Sequence, residues 1–251
     1  MTNIPQESQI EQDREPIRML GISGSLRKAS FNTGLLRAAQ EIVPDWVDFK
    51  IFDIRDIPFY DGDLEAEGDP ASVVALKAAI QNAESVVFAT PEYNWGTSGV
   101  LKNAIDWASR DRTEGSLMGK PVTIIGAGGR ADTARAQMQL LETLGETGSL
   151  VMVKPGLQVM AFSDQQFDRE GNLIGETTRE LLENHLDALV KWTMQIVRPM
   201  NSSPTPVRWT RRQRGYRCQT VEATGLPSCD LDSASTYVVR QAHHERIWRE
   251  N

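Results

Sequence analysis

Cysteine is almost missing from this 251-residue chain: there are two, Cys218 and Cys229. Residues 1–217 therefore hold no thiol, which excludes a disulfide framework, a thiolate nucleophile and a thiolate metal site from most of the chain. Basic charge is not in excess either. Lys and Arg number 27 against 34 Asp and Glu, for a formal charge of −7. An acidic chain has no electrostatic footprint for phosphate backbones, so nucleic acid is not expected as a partner. No apolar run reaches the roughly 18 residues of a membrane span. Residues 1–15 are polar and lack the basic start and apolar centre of a secretory signal. No membrane insertion is expected, and the expected compartment is cytoplasmic.

Charge is distributed unevenly. Residues 198–251 contain nine Arg, no Lys and five acids, a net of +4, which leaves −11 on residues 1–197. Pro199, Pro204 and Pro206 open this segment, and "RWTRRQRGYRCQ" has neither helical nor strand periodicity. It reads as a basic, poorly ordered C-terminal tail, solvated rather than built to bind. Residues 1–16, with breakers at Pro5 and Pro16, read as a short polar tail. The working domain is expected over 17–197.

Within that domain short apolar runs alternate with helical patterns. "IRMLGIS" (17–23), "SVVFAT" (85–90), "VTIIGA" (122–127) and "SLVMV" (149–153) have the continuous apolar character of parallel strands covered on both faces. Val47, Phe49 and Ile51 alternate with Asp48 and Lys50, which predicts an edge strand half open to water. Helical spacing joins Leu35 to Ile42, Val73 to Ile80, Val100 to Trp107, Ala134 to Leu141, and Leu182 to Val197. Five strands alternating with five helices predict an α/β fold. The expected form is a flavodoxin-like three-layer doubly wound sandwich around a five-stranded parallel sheet of order 2-1-3-4-5. Ligands of such sheets sit at the carboxyl ends of the strands, beside the first strand, so the loops after strands one, three and four are the suspects.

The first loop, "GISGSLRKASFNTGLL", runs into a helix. Gly24 allows a tight turn, Ser25, Ser30 and Asn32 offer polar side chains, and Arg27 supplies positive charge. A helix N-terminus adds unpaired N–H groups, so the loop suits a phosphate monoester; Ser30 or Asn32 can equally be an ordinary helix cap. The loop lacks the Gly-Lys-Ser/Thr ending of a nucleotide-hydrolysing P-loop. The third loop brackets Glu92, Tyr93, Asn94 and Trp95 between Pro91 and Gly96. Two aromatics and an amide at the sheet edge suit a flat heterocycle, although such aromatics also serve to pack on a following helix or a partner subunit.

"GSLRKASFN" (24–32), "PEYNWGTSGVLKNAIDWASR" (91–110) and "GKPVTIIGAGG" (119–129), in that order, closely resemble the NADPH-dependent FMN reductase family, in particular its chromate and quinone reductase branch. The resemblance implies noncovalent FMN in a homodimer or homotetramer, with NADPH or NADH as hydride donor. By position it implies that Ser25, Arg27, Ser30 and Asn32 hold the FMN phosphate and that Pro91, Glu92, Tyr93, Asn94 and Trp95 line the isoalloxazine. Relatives often carry serines after the fourth strand, where this chain has Gly126, Ala127, Gly128 and Gly129. Backbone N–H groups from the glycines are expected to serve that edge. The implied activity is hydride transfer from NAD(P)H to FMN and on to quinone, azo, flavin or metal-oxyanion acceptors by a ping-pong mechanism. No catalytic acid or base is nominated, because the flavin carries the chemistry. The alternatives are an electron shuttle or an FMN-binding sensor that does not turn over NAD(P)H.

Other patterns are set aside. "GAGGRA" (126–131) formally matches a dinucleotide fingerprint, but it lies on the wrong strand and lacks the acid about 20 residues on. His185 sits among Leu182 and Leu186 and reads as a packing residue. Cys218, Cys229, His243 and His244 have no zinc-like spacing, so no metal is expected.

Overall fold

A computed structural model of the chain describes residues 16–110, 115–129, 132–163 and 165–197. The chain divides into Met1–Ser203 and Pro204–Asn251, and every described residue belongs to the first unit. The expectations for residues 1–15 and 198–251, including Cys218, Cys229, His243 and His244, lie outside the described residues.

Apolar sequence at successive positions needs cover on both faces, and β1 (Ile17–Ser23), β3 (Ser85–Ala89) and β4 (Pro121–Gly128) receive it. Together with β2 (Val47–Phe52) and β5 (Leu150–Met160) they form one parallel sheet of order β2-β1-β3-β4-β5. Met19 lies opposite Phe49 on β2 and Ser85 on β3, and Val86 lies opposite Val122. Alternate residues then feed two cores. Met19, Val87 and Ile125 pack against α1 (Phe31–Ile42) and α6 (Glu176–Val197) through Leu35, Leu36, Leu182, Leu186 and Leu189. Leu20, Val86 and Phe88 pack on the other face against α3 (Ala71–Asn82), α4 (Gly99–Ala108) and α5 (Ala134–Glu146), through Leu76, Ile80, Leu101, Leu140 and Leu144. This is the flavodoxin-like order and layering that the alternation predicts.

Two elements differ from expectation. A sixth helix, α2 (Gly62–Glu67), is capped by Asp61 and buries no residue, so it has no apolar stripe to betray it. β5 is not covered on both faces: it is an edge strand with Leu150, Val153 and Met160 exposed. It also continues past the Lys-Pro-Gly run where the sequence suggests a stop. Thr123 lies opposite Met152 and Ile125 opposite Leu157, so β5 carries three extra residues in a bulge between the two pairs. Proline is tolerated there because an edge strand and a bulge both have N–H positions outside the ladder.

Candidate functional site

The chain leaves β1 outward to β2 and returns across it to β3, so the switch point opens between the carboxyl ends of β1 and β3. Pairing persists beyond the strands: Gly24 N–H donates to Ala89 O at 2.8 Å and Thr90 N–H to Ile125 O at 2.9 Å. Ser98, the N-cap of α4, donates its hydroxyl to Gly24 O at 2.6 Å. A Cβ at Gly24 would stand 2.9 Å from that same Ser98 Oγ, so only glycine lets the first loop lie this close to α4. The loops are thereby fixed around a cleft of about 250 Å³.

From the first loop and the start of α1, Ser25, Arg27, Ser30, Phe31 and Asn32 line the cleft. Ser30 caps α1, its Oγ accepting from Thr33 N–H at 3.2 Å, which leaves its own hydroxyl proton to donate. The N–H groups of Phe31 and Asn32 belong to the first helical turn and have no intrahelical acceptor. Ser23 Oγ accepts from Ser25 N–H and from Thr33 Oγ1, bracing the loop from below. Arg27 lies 4.7 Å over the Phe31 ring and donates to Ala29 O. Among the described residues no carboxylate pairs with it. A cation, two hydroxyls and a helix N-terminus are the groups that suit a dianion. The Asn32 side chain is committed within the fold. It is buried, donating from Nδ2 to Ala127 O and accepting at Oδ1 from Ala127 N–H, both at 2.9 Å. It staples α1 to β4, while the Asn32 backbone N–H stays at the open N-terminus of α1.

From the third loop, Pro91, Glu92 and Tyr93 line it. Tyr93 and Gly96 exchange both backbone hydrogen bonds, with Asn94 at φ 50° and Trp95 at φ 69° between them. Two successive positive φ angles make a type I′ turn, a conformation that a tryptophan adopts only under constraint. The constraint is visible. Glu92, 8% exposed in its side chain, accepts from the N–H groups of Arg135 and Ala136 at the start of α5 and pairs with the Arg135 guanidinium at 2.8 Å. That guanidinium lies 4.4 Å over the Trp95 ring. Asn94 and Trp95 stand outside the lining, and Trp95 is 74% exposed. The Glu92 carboxylate is turned to α5 and not to the cleft.

From the end of β4 and the loop after it, Ala127, Gly128 and Gly129 join the lining. The glycines serve packing more than ligand approach. A Cβ at Gly126 would meet Thr133 Oγ1 at 2.3 Å and Thr90 O at 2.5 Å, and one at Gly128 would meet Asp132 O at 2.0 Å. Gly126 lies outside the lining, whereas a Cβ at Gly129 would have open space. Phe31 and Phe162 also line the cleft and are missing from the sequence-based set. Phe31 was concealed between two polar candidates. Phe162 follows β5, and that loop too emerges at the carboxyl edge.

His185 is away from the cleft lining. It is buried on α6 with Nε2 2.9 Å from Thr123 Oγ1 of β4. Burial pushes its pKa down to about 4, partly opposed by the Pro155 carbonyl. Among the described residues no helix is long and apolar enough to cross a membrane.

A doubly wound sheet of order β2-β1-β3-β4-β5, whose switch point gathers Arg27, two serine hydroxyls, a helix N-terminus and Tyr93 around one cleft, defines a flavodoxin-like protein. The family model for NADPH-dependent FMN reductases matches residues 17–164. The chain belongs to that family. It is 44% identical over 184 residues to an NAD(P)H-dependent FMN reductase of Pseudomonas aeruginosa, covering 72% of this chain and 98% of the relative. It is 41% identical over 186 residues to an NADPH:quinone oxidoreductase of Arabidopsis thaliana, covering 72% and 93%. Among solved structures, the flavoenzyme NAD(P)H:(acceptor) oxidoreductase of Paracoccus denitrificans superposes with a TM-score of 0.66 at 34% identity, covering 72% of this chain and 98% of that one.

Proposed function

We propose that this chain is an FMN-dependent NAD(P)H oxidoreductase that reduces quinones and similarly electrophilic small molecules by a ping-pong mechanism. The observation that carries the reading is that Arg27, Ser25, Ser30 and the first turn of α1 line one switch-point cleft together with Pro91 and Tyr93. FMN, when bound, supplies the redox chemistry, taking hydride from NAD(P)H and passing both electrons to an acceptor.

The residues present suit that cofactor. Arg27, the hydroxyls of Ser25 and Ser30, and the Phe31 and Asn32 N–H groups match a phosphate monoester in charge and donor count. Pro91, Tyr93 and the backbone of Glu92 would border the ring, with Gly129 at its polar edge. Glu92 and Arg135 act behind them, holding the turn at Asn94 and Trp95 in place. No side chain is assigned as a general acid or base; the protein orients, supplies donors and excludes water.

One cleft serving donor and acceptor in turn requires the oxidised nicotinamide to leave before the acceptor enters. Quinones lead the proposed acceptors, since relatives are named for them; azo compounds, flavins and metal oxyanions follow. The proposed assembly is a homodimer or homotetramer, the working domain is 17–197, and consumption of NAD(P)H fits the cytoplasm. Steady-state rates over a grid of NADPH and benzoquinone concentrations test the mechanism. Parallel double-reciprocal lines are expected, and intersecting lines would contradict a shared cleft. An electron shuttle, by contrast, would consume NADPH only negligibly.

A further inference from the structure

The Phe162 ring is 80% exposed yet lines the cleft. It is not a loosely held side chain. Ala161 N–H donates to Gly128 O at 2.9 Å, tying the loop after β5 to the glycine edge. Ser163 turns back immediately, with its N–H and its hydroxyl both donating to Met160 O at 3.2 and 2.9 Å. Phe162 therefore stands at the apex of a fixed turn. Its ring meets Phe31 edge to face at 5.8 Å and 81°. Phe31 is itself held, stacked on Phe167 at 4.6 Å and 28° and flanked by the Arg27 guanidinium at 4.7 Å. Phe162, Phe167 and the Arg27 guanidinium thus all pack on Phe31, and Phe162, Phe31 and Arg27 line the cleft beside Ser25 and Ser30.

A large apolar ring facing water is unfavourable unless something covers it. An anion site facing water is weak, because solvent screens the charge–charge attraction. One bound molecule would relieve both: its carbon chain covers the ring while the ring keeps water from the Arg27–phosphate pair. We propose that Phe162 is a binding residue of this cleft, the outer aromatic wall over the ribityl-phosphate end of FMN, acting by slowing the release of the cofactor. The inference rests on the FMN reading above and adds a residue and a kinetic role to it.

FMN release from the full-length protein, followed by the recovery of flavin fluorescence on dilution, tests this. Phe162→Ala is expected to release FMN about tenfold faster, equivalent to about 1.4 kcal/mol, with little change in association rate, since interface contacts act mainly on dissociation. Phe162→Leu should restore most of the retention. Riboflavin, which lacks the phosphate, should respond less to Phe162→Ala than FMN does. The apo variant should unfold at the wild-type temperature, because the ring is exposed before binding. Release at the wild-type rate from Phe162→Ala, or an equal response with riboflavin, overturns the proposal while leaving the FMN reading intact. Failure of the wild-type chain to retain FMN overturns both.

Discussion

Arg27 and Asn32 stand five residues apart, one in the first loop and the other in the first turn of α1, yet their roles separate once each polar atom is accounted for. Arg27 lines the cleft and, among the described residues, has no carboxylate partner. Arg27→Ala should therefore raise the FMN dissociation constant by about tenfold or more while leaving the apo fold unchanged, as expected for loss of a charge-assisted contact. Fluorescence titration and thermal unfolding of the same sample read the two effects apart. Asn32 has both side-chain atoms committed to the backbone of Ala127. Asn32→Ala leaves a buried N–H and a buried C=O without partners, so stability should fall by about 2–4 kcal/mol. Urea unfolding measures this; a variant as stable as wild type would mean that the staple is dispensable. Glu92 is the third case. It reads from sequence as a ring-lining residue, but its carboxylate caps α5 and holds Arg135.

At the scale of elements, α6 is held to the sheet partly through His185 and Thr123. The histidine is neutral in the fold because burial lowers its pKa from 6.5 to about 4. Unfolding restores the ordinary value, so protons bind the unfolded chain more readily. Its contribution is complete above about pH 6.5 and is lost as pH falls towards 4, by about 3 kcal/mol in total. His185→Gln should flatten the pH dependence of unfolding across that window; parallel wild-type and variant profiles would exclude the effect. The turn after β4 gives a second test. Gly128→Ala places a Cβ 2.0 Å from Asp132 O and should cost about 1–3 kcal/mol through the forced shift of that turn. Elements of this kind differ in how openly the sequence shows them. β2 is legible because alternation of Val47, Phe49 and Ile51 with Asp48 and Lys50 allows only an edge strand. α2 buries nothing and leaves no periodic signal. β5 is truncated in any reading that stops at proline, since edge position and a three-residue bulge are tertiary facts. Loops one, three and four are singled out by their Ser, Arg, Tyr and Gly residues, and residues of all three line one cleft. Phe162 is not singled out, because a lone phenylalanine after a strand resembles core until the fold shows it in water.

For the whole molecule, the matched family and the cleft both fall within residues 17–197. A chain restricted to those residues is expected to retain FMN and turn over NADPH at rates close to those of the full protein, measured side by side; loss of both would contradict the assigned domain. The central claim concerns cofactor and donor together. Purified protein should be loaded with FMN, desalted, and treated with NADPH in the absence of oxygen while the visible spectrum is recorded. The account predicts a flavin band that survives desalting and bleaches on addition of NADPH, then returns when benzoquinone is added. A retained band that NADPH leaves unchanged would contradict the reductase reading, and the absence of any retained band would contradict the cofactor on which it rests.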